Sequence, residues 1–446
     1  MKSKTISTIL IDTFSVSLSS TVMSNKIRRK NTLLSTFGII ILAVLILAGA
    51  ASAAPFAYVA SLGVDTGTVF VIDTATDNLT AVVPIGGWPE GVAVNSAGTK
   101  VYVATGFYPT ISVIDTATNT VSATVSAGRS YPWGVAVNPA GTRVYVTNRY
   151  SVADNDSNSV SVIDTATNSV AATINIGVST VNVAVTPDGK KIYATNSRNN
   201  TTSVIDATTS KITATVPVGG HPTDVAVSPD GNKVYVTNTG SSDVSIIDTE
   251  TNTVIATVPV EDGPGDIAVT LDGTKVYVAD WQSNNVSVID ATTNTVTATV
   301  PVGSCPRGIA VTPDGKKVYV TNAESDNVSV IDTATNKVTA TVNSGKYTIN
   351  YPTGVVIGPF KDSNMADQST RTASNATEDI GIEETNLSLS EEKNTIKLNN
   401  SNNNSSESDN GNSSSENESS KNNSTPGFGL LGGLACIFGG WKFRKK

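Results

Sequence analysis

Cysteine, histidine and charge are all scarce along this chain of 446 residues, and each scarcity removes a class of function. Cys305 and Cys436 are the only cysteines, one inside a repeated segment and one in a terminal apolar run. Two thiols so placed exclude a disulfide framework and a cysteine-based metal centre. His221 is the single histidine, which excludes multi-histidine copper or haem chemistry and argues against a Ser-His-Asp triad. Charged residues make up only 15% of the chain and the net charge is −8, with no basic patch inside the repeated part. Nothing there would neutralise phosphates, so nucleic acid is not expected as a partner. Plentiful instead are Thr, Val, Asn, Ser and Ala. β-Branched side chains suit a pleated surface and Asn, Ser and Gly suit tight turns, so the composition predicts an all-β chain with little helix.

The two ends read as addresses. Lys26, Arg28, Arg29 and Lys30 precede an apolar run from Leu33 to Ala50 and then Ala51-Ser52-Ala53-Ala54, the order of a secretory signal, with cleavage expected after Ala53 or Ala54. The stretch before those charges is long for a signal, so Met23 reads as the start. Residues 361–425 are rich in Asn and Ser and carry more acidic than basic side chains, a composition that cannot bury enough apolar area to fold. Nine sequons fall there, among them Asn375, Asn386, Asn399, Asn412 and Asn417, so the segment reads as a disordered, glycosylated stalk. Pro426-Gly427-Phe428, a Gly-rich apolar run and a basic end close the chain over residues 426–446, expected to serve as a membrane anchor or a processed signal.

Between these ends, residues 54–360 are a repeat. Ile-Asp recurs at Asp73, Asp115, Asp164, Asp206, Asp248, Asp290 and Asp332, in steps of 42 residues apart from one of 49. A Tyr within a β-branched run recurs seven times, from Tyr58 to Tyr319, and a strand of the type GVAV recurs seven times, from Gly91 to Gly354. The unit Asp224 to Gly265 holds four runs of period 2 parted by turn residues, the pattern of one propeller blade. Seven such units predict a seven-bladed β-propeller of four-stranded blades. The chain enters at a second strand, Ala57 to Ser61, and supplies the missing first strand last, Gly354 to Pro359, so those two strands should share a blade and close the ring.

The segment VYVTN, at Val144–Asn148, Val234–Asn238 and Val318–Asn322, resembles the YVTN-type repeats of archaeal surface-layer propellers over residues 57–360. The terminal tripeptide with its apolar run and basic end resembles the archaeal Pro-Gly-Phe sorting signal, which implies exchange of the tail for a lipid anchor at the outer face of the membrane. Sevenfold recurrence assigns the repeated Asp, Tyr and Asn to structure. Asp before Thr-Ala-Thr-Asn is expected to accept turn amides, and the Tyr and the Asn of YVTN to pack between blades. The Pro-Asp-Gly segments at Pro187, Pro229 and Pro313 are expected to be hairpin turns.

Where the repeats disagree, function is expected. The first-to-second and third-to-fourth turns are nearly constant, whereas the other two connections, on the opposite face, vary and collect the remaining aromatics and arginines. Trp88, Phe107, Tyr108, Arg129, Tyr131, Trp133, Tyr150, Trp281 and Arg307 form the expected recognition face, since aromatic and Arg side chains bury large area at low entropic cost. An insertion in the third blade holds Asp154-x-Asp156-x-Asn158, a weak candidate for calcium, because the Gly and distal Glu of an EF-hand loop are missing. Asp224 and Asp266, with Glu90 and Arg307 one position earlier in other units, form a carboxylate cluster near the channel mouth. That cluster fits either a metal-dependent lactonase or lyase or a solvated polar rim, and the rim is preferred. The sequence thus predicts a non-enzymatic, cofactor-free surface propeller that binds surface proteins or glycans and reaches the membrane through its C-terminal anchor.

Overall fold

The computed structural model describes residues 55–358, apart from 64–65, 107, 129–130, 150–157, 177–178 and 344–348. These residues form 28 strands, numbered β1 to β28 in chain order, in seven four-stranded antiparallel sheets, with one short 3-10 turn at Ser197–Asn199. The expected signal segment, stalk and terminal signal, with Ala53, Pro426, Gly427, Phe428 and the five stalk asparagines, lie outside the described residues. No described helix is long and apolar enough to cross a membrane.

One blade shows why the repeat folds as it does. β16 (Pro222–Val227), β17 (Lys233–Asn238), β18 (Asp243–Asp248) and β19 (Thr253–Pro259) run from the channel outwards. The middle strands are almost continuously buried, because each is covered on both faces by neighbouring blades. The outer strand alternates exposed and half-buried residues, as expected where one face meets solvent. Each apolar cluster accordingly spans two blades: Tyr235, Val244 and Ile246 pack with Ile267, Val276 and Ile289 of the next.

Repeated polar residues set the inter-blade spacing. Asp115 Oδ1 accepts the amides of Ala117 and Thr118 at 3.1 and 3.0 Å, and its equivalents each accept at least one turn amide in the other blades, as the sequence predicts. Several Tyr hydroxyls reach the neighbouring blade's turn: Tyr193 donates to Asn252 Oδ1 at 3.4 Å and Tyr58 to Asn119 Oδ1 at 3.5 Å. The Asn of YVTN departs from expectation. Asn148, Asn238 and Asn322 stay within their own blade, their Nδ2 donating to Ser161, Ser245 and Ser329 of the third strand at 2.8–2.9 Å.

The Thr of YVTN makes the crossing instead. A bulge in each innermost strand takes its second and third residues out of the ladder, as between Pro222 and Val225. Thr237 Oγ1 accepts the amide of Asp224 at 2.9 Å and donates to Gly265 O of the next blade at 2.6 Å. Thr147, Thr195 and Thr321 repeat this, reaching Val181, Thr223 and Thr353.

The ring closes as the sequence predicts. β28 (Pro352–Gly358) pairs antiparallel with β1 (Phe56–Ser61), completing a blade with β2 (Thr68–Asp73) and β3 (Asn78–Pro84). Across the seam, Thr353 Oγ1 donates to Pro89 O at 2.8 Å, Lys317 pairs with Asp77 at 2.8 Å, and Tyr319 donates to the same carboxylate.

Candidate functional site

The innermost strands β4 (Pro89–Val94), β8 (Pro132–Val137), β12 (Thr180–Val185), β16, β20 (Pro264–Val269), β24 (Pro306–Val311) and β28 neighbour one another around the channel. All seven start at the variable face, two residues before the glycine-type position that marks them in the sequence. Their second residues are Glu90, Trp133, Val181, Thr223, Gly265, Arg307 and Thr353, and their third are Gly91, Gly134, Asn182, Asp224, Asp266, Gly308 and Gly354. The bulge takes these two positions out of the ladder, and the third residue faces the innermost strand of the next blade, so the least uniform part of the repeat is brought to one place.

One side of the mouth carries arginines held against aromatic rings. The guanidinium carbon of Arg149 lies 4.5 Å from the centroid of the Trp133 ring, and that of Arg307 lies 5.7 Å from the Tyr351 ring, with Nη1 3.5 Å from the Tyr351 hydroxyl. The turns that lead in carry left-handed backbone at Tyr131, φ 59°, and Tyr351, φ 49°, an unusual conformation for aromatic residues directly before proline. Ser179, His221 and Cys305 hold the same left-handed conformation at the equivalent position, so the turn into the innermost strand repeats this geometry. Glu90 lies between the two arginines in ring order. Its burial pushes the carboxyl up to about 7, against the pull of Arg307 and Arg149. Burial lowers the affinity of Arg149 for its proton, with Glu90 opposing. Arg307 is likewise disfavoured by burial, but Glu90 and Tyr351 more than restore its charge.

The other side holds the acid pair. Asp224 is 5% exposed; its Oδ1 accepts from Asn182 Nδ2 and its Oδ2 from the Ile267 amide at 2.8 Å. Asp266 Oδ2 accepts the Ile309 amide at 2.9 Å. Each carboxylate thus ties its blade to a bulge amide of the next. Burial holds Asp224 well above the usual carboxylate range, with the neighbouring Asp266 carboxylate adding to it, and burial raises Asp266 too. The solvated rim expected here is corrected at Asp224, which is buried because the bulge amide it satisfies lies between blades, whereas Asp266, Glu90 and Arg307 are half-buried. Among the described residues no group of three His, Cys, Asp or Glu side chains stands in metal-binding geometry.

The remaining expected residues are spread over the same face. Trp88 and Tyr108 are exposed, at 39% and 59%, and a Cβ at Gly87 would lie 3.1 Å from the Tyr108 ring. Trp281 is half-buried over Gly265, where a Cβ would lie 3.4 Å from the indole. Trp133 and Arg307 belong to strands and not to loops, since the innermost strands start earlier than the sequence marker. Phe107, Arg129, Tyr150, Asp154 and Asp156 lie outside the described residues, whereas Asn158 is buried with Oδ1 accepting the Ser179 amide at 2.7 Å. Arg149 was legible only as one loop arginine among several. Its position, one residue past the YVTN of the third blade, is the signal that places it beside the channel.

Comparison with known proteins follows the fold. A structure of a functionally unknown protein from Desulfotomaculum acetoxidans is 20% identical, with a TM-score of 0.59, covering 68% of this chain and 98% of that one. A putative 6-phosphogluconolactonase from Bacteroides fragilis is 17% identical, with a TM-score of 0.58 over 70% of this chain and 99% of its own. A periplasmic gluconolactonase from Pseudomonas aeruginosa is 19% identical, with a TM-score of 0.58 over 68% and 99%. Likeness at this identity shows the shared propeller alone. No curated protein matches the chain. Residues 135–376, more than half of the chain, match the choice-of-anchor I domain, whose description points to the cell surface. The chain, a seven-bladed propeller, belongs to the choice-of-anchor I domain family.

Proposed function

We propose that the chain is a non-enzymatic cell-surface propeller that binds surface proteins or glycans through its variable face. The observation that carries the reading is the convergence at the channel mouth of Arg149 on Trp133 and Arg307 on Tyr351, with the exposed Trp88 and Tyr108 on the same face. Rigid rings that present guanidinium edges are the usual anchors of recognition surfaces. The surface-layer resemblance, the secretory signal, the glycosylated stalk and the Pro-Gly-Phe-type end support display outside the cell. The last strand, β28, runs from the variable to the constant face, so a C-terminal stalk leaves from the constant face and the variable face points outwards. A glycan and cell-binding array tests this. Wild-type chain should capture a ligand that W133A and a W88A/Y108A pair lose, while stoichiometric metal without any ligand would count against it.

A second reading, an extracellular lactonase or lyase at the mouth, draws on the buried acid pair Asp224 and Asp266. Both carboxylates already accept inter-blade amides, which is why the binding reading is preferred. Lactone hydrolysis abolished by D266N, with the fold retained, would reverse that preference.

A further inference from the structure

We infer that the channel mouth binds an acidic saccharide, its anionic group held by Arg149 and Arg307 and its ring stacked on Trp281. This rests on the reading of the variable face as a recognition surface. The ion pairs within 4 Å among the described residues include neither Arg149 nor Arg307. Glu90 is near enough to influence both electrostatically, but pairs with neither. The two guanidiniums are close enough to act on each other, with Glu90 within reach of both and Asp266 within reach of Arg307, in a chain whose net charge is −8. Each is braced on a ring, which fixes the planar fork that grips a carboxylate or sulfate by two parallel hydrogen bonds. Across the mouth, position 265 is the only second residue of an innermost strand without a side chain, and the Trp281 indole lies over it. An indole so placed offers a flat apolar face to the C–H side of a pyranose ring while the acidic group reaches the arginines.

The full chain is titrated, following Trp fluorescence and heat, with a uronic-acid oligosaccharide, a sulfated oligosaccharide, the neutral carboxyl-reduced form of the first, and inorganic phosphate. The acidic sugars should bind at least tenfold more tightly than the neutral form and lose most of that margin between 50 and 500 mM salt. The uronate and sulfate arms separate the two sources of the anion. Phosphate alone should bind weakly, because it lacks the ring. R149Q and R307Q should each weaken acidic binding tenfold or more, and R307K should recover only part. Should a glutamine variant melt early, the salt dependence of the wild-type chain still decides. Equal affinity for acidic and neutral sugars, or no binding of either acidic sugar, overturns the inference. If neutral glycans or proteins are captured in a Trp133-dependent way, the recognition reading survives that failure. If nothing is captured at all, both fall.

Discussion

A chain shortened to end at Tyr351 lacks β28, and its first blade keeps only three strands. Val355 and Ile357, 7% and 2% exposed, are lost from the core that joins the first and last blades. At roughly 1.5–3 kcal/mol for each buried side chain of this size, that is roughly 3–6 kcal/mol. The antiparallel pairing with β1 goes too. So do the bonds of Thr353 to Thr321 and Pro89. About four hydrogen bonds at roughly 1 kcal/mol each add roughly 4 kcal/mol. The total, roughly 7–10 kcal/mol, is comparable with the whole stability of an ordinary domain, and it leaves β1 as an unpaired inner edge. A chain ending at Phe360 is the control, since it differs only by the closing segment. By circular dichroism melting the shorter chain should lose at least ~15 °C or fail to fold, at roughly 2 °C per kcal/mol for a domain of this size. A synthetic peptide of residues 349–360 should restore part of the loss saturably. Two melting temperatures within about 2 °C of each other would refute the closure argument.

Three further predictions follow from the same geometry. Asp280 takes the place of the YVTN Asn in its blade; it is fully buried and burial pushes it up to about 7, so its contribution is present below about pH 4 and is lost as pH rises towards 7. D280N should therefore raise the melting temperature by several degrees at pH 8, by roughly 1–3 kcal/mol, and change it little at pH 4. T237V keeps the shape of the inter-blade clamp but strands the Asp224 amide and the Gly265 carbonyl, so chemical denaturation should show a loss of roughly 1–3 kcal/mol. Because Glu90 titrates near 7 between Arg307 and Arg149, with Asp266 and Arg198 also acting on those arginines, acidic sugar should bind several-fold more tightly at pH 6 than at pH 8. In calorimetric titration E90Q should flatten that dependence by raising affinity at pH 8.

Much of this was legible in the sequence because a repeat reports its own geometry. Asp115 and its equivalents recur with closely similar following residues, and a position repeated seven times must answer to the fold and not to a ligand. The offset between Tyr58, which begins the first incomplete unit, and Gly354, which ends the last, was enough to predict the closing strand. The misreadings share one cause. The bulge in each innermost strand is invisible to a period-2 pattern, so Thr237 passed as an ordinary strand residue and the inter-blade role went to Asn238. The same bulge hid why Asp224 is buried: the amide it satisfies belongs to Ile267, 43 residues on.

The candidate site divides in the same way. Its residue types could be collected from the sequence by asking where the repeats disagree, and that alone brought Trp133, Trp281, Arg307, Glu90 and Asp224 into view. Which of them share a space could not. Glu90, on the second blade, and Arg307, on the last, are separated by more than two hundred residues and come within electrostatic reach only because the closed ring sets a single blade between them, while Arg149 finds Trp133 only because a strand pairing brings the far end of β9 (Arg143–Asn148) to the start of β8. Local periodicity and turn chemistry act within one blade and are written in its residues, so composition and spacing determined the blades, their number and their order. Burial, charge coupling and the sharing of protons act across blades, between side chains that the chain places far apart, and those the closed ring alone decided.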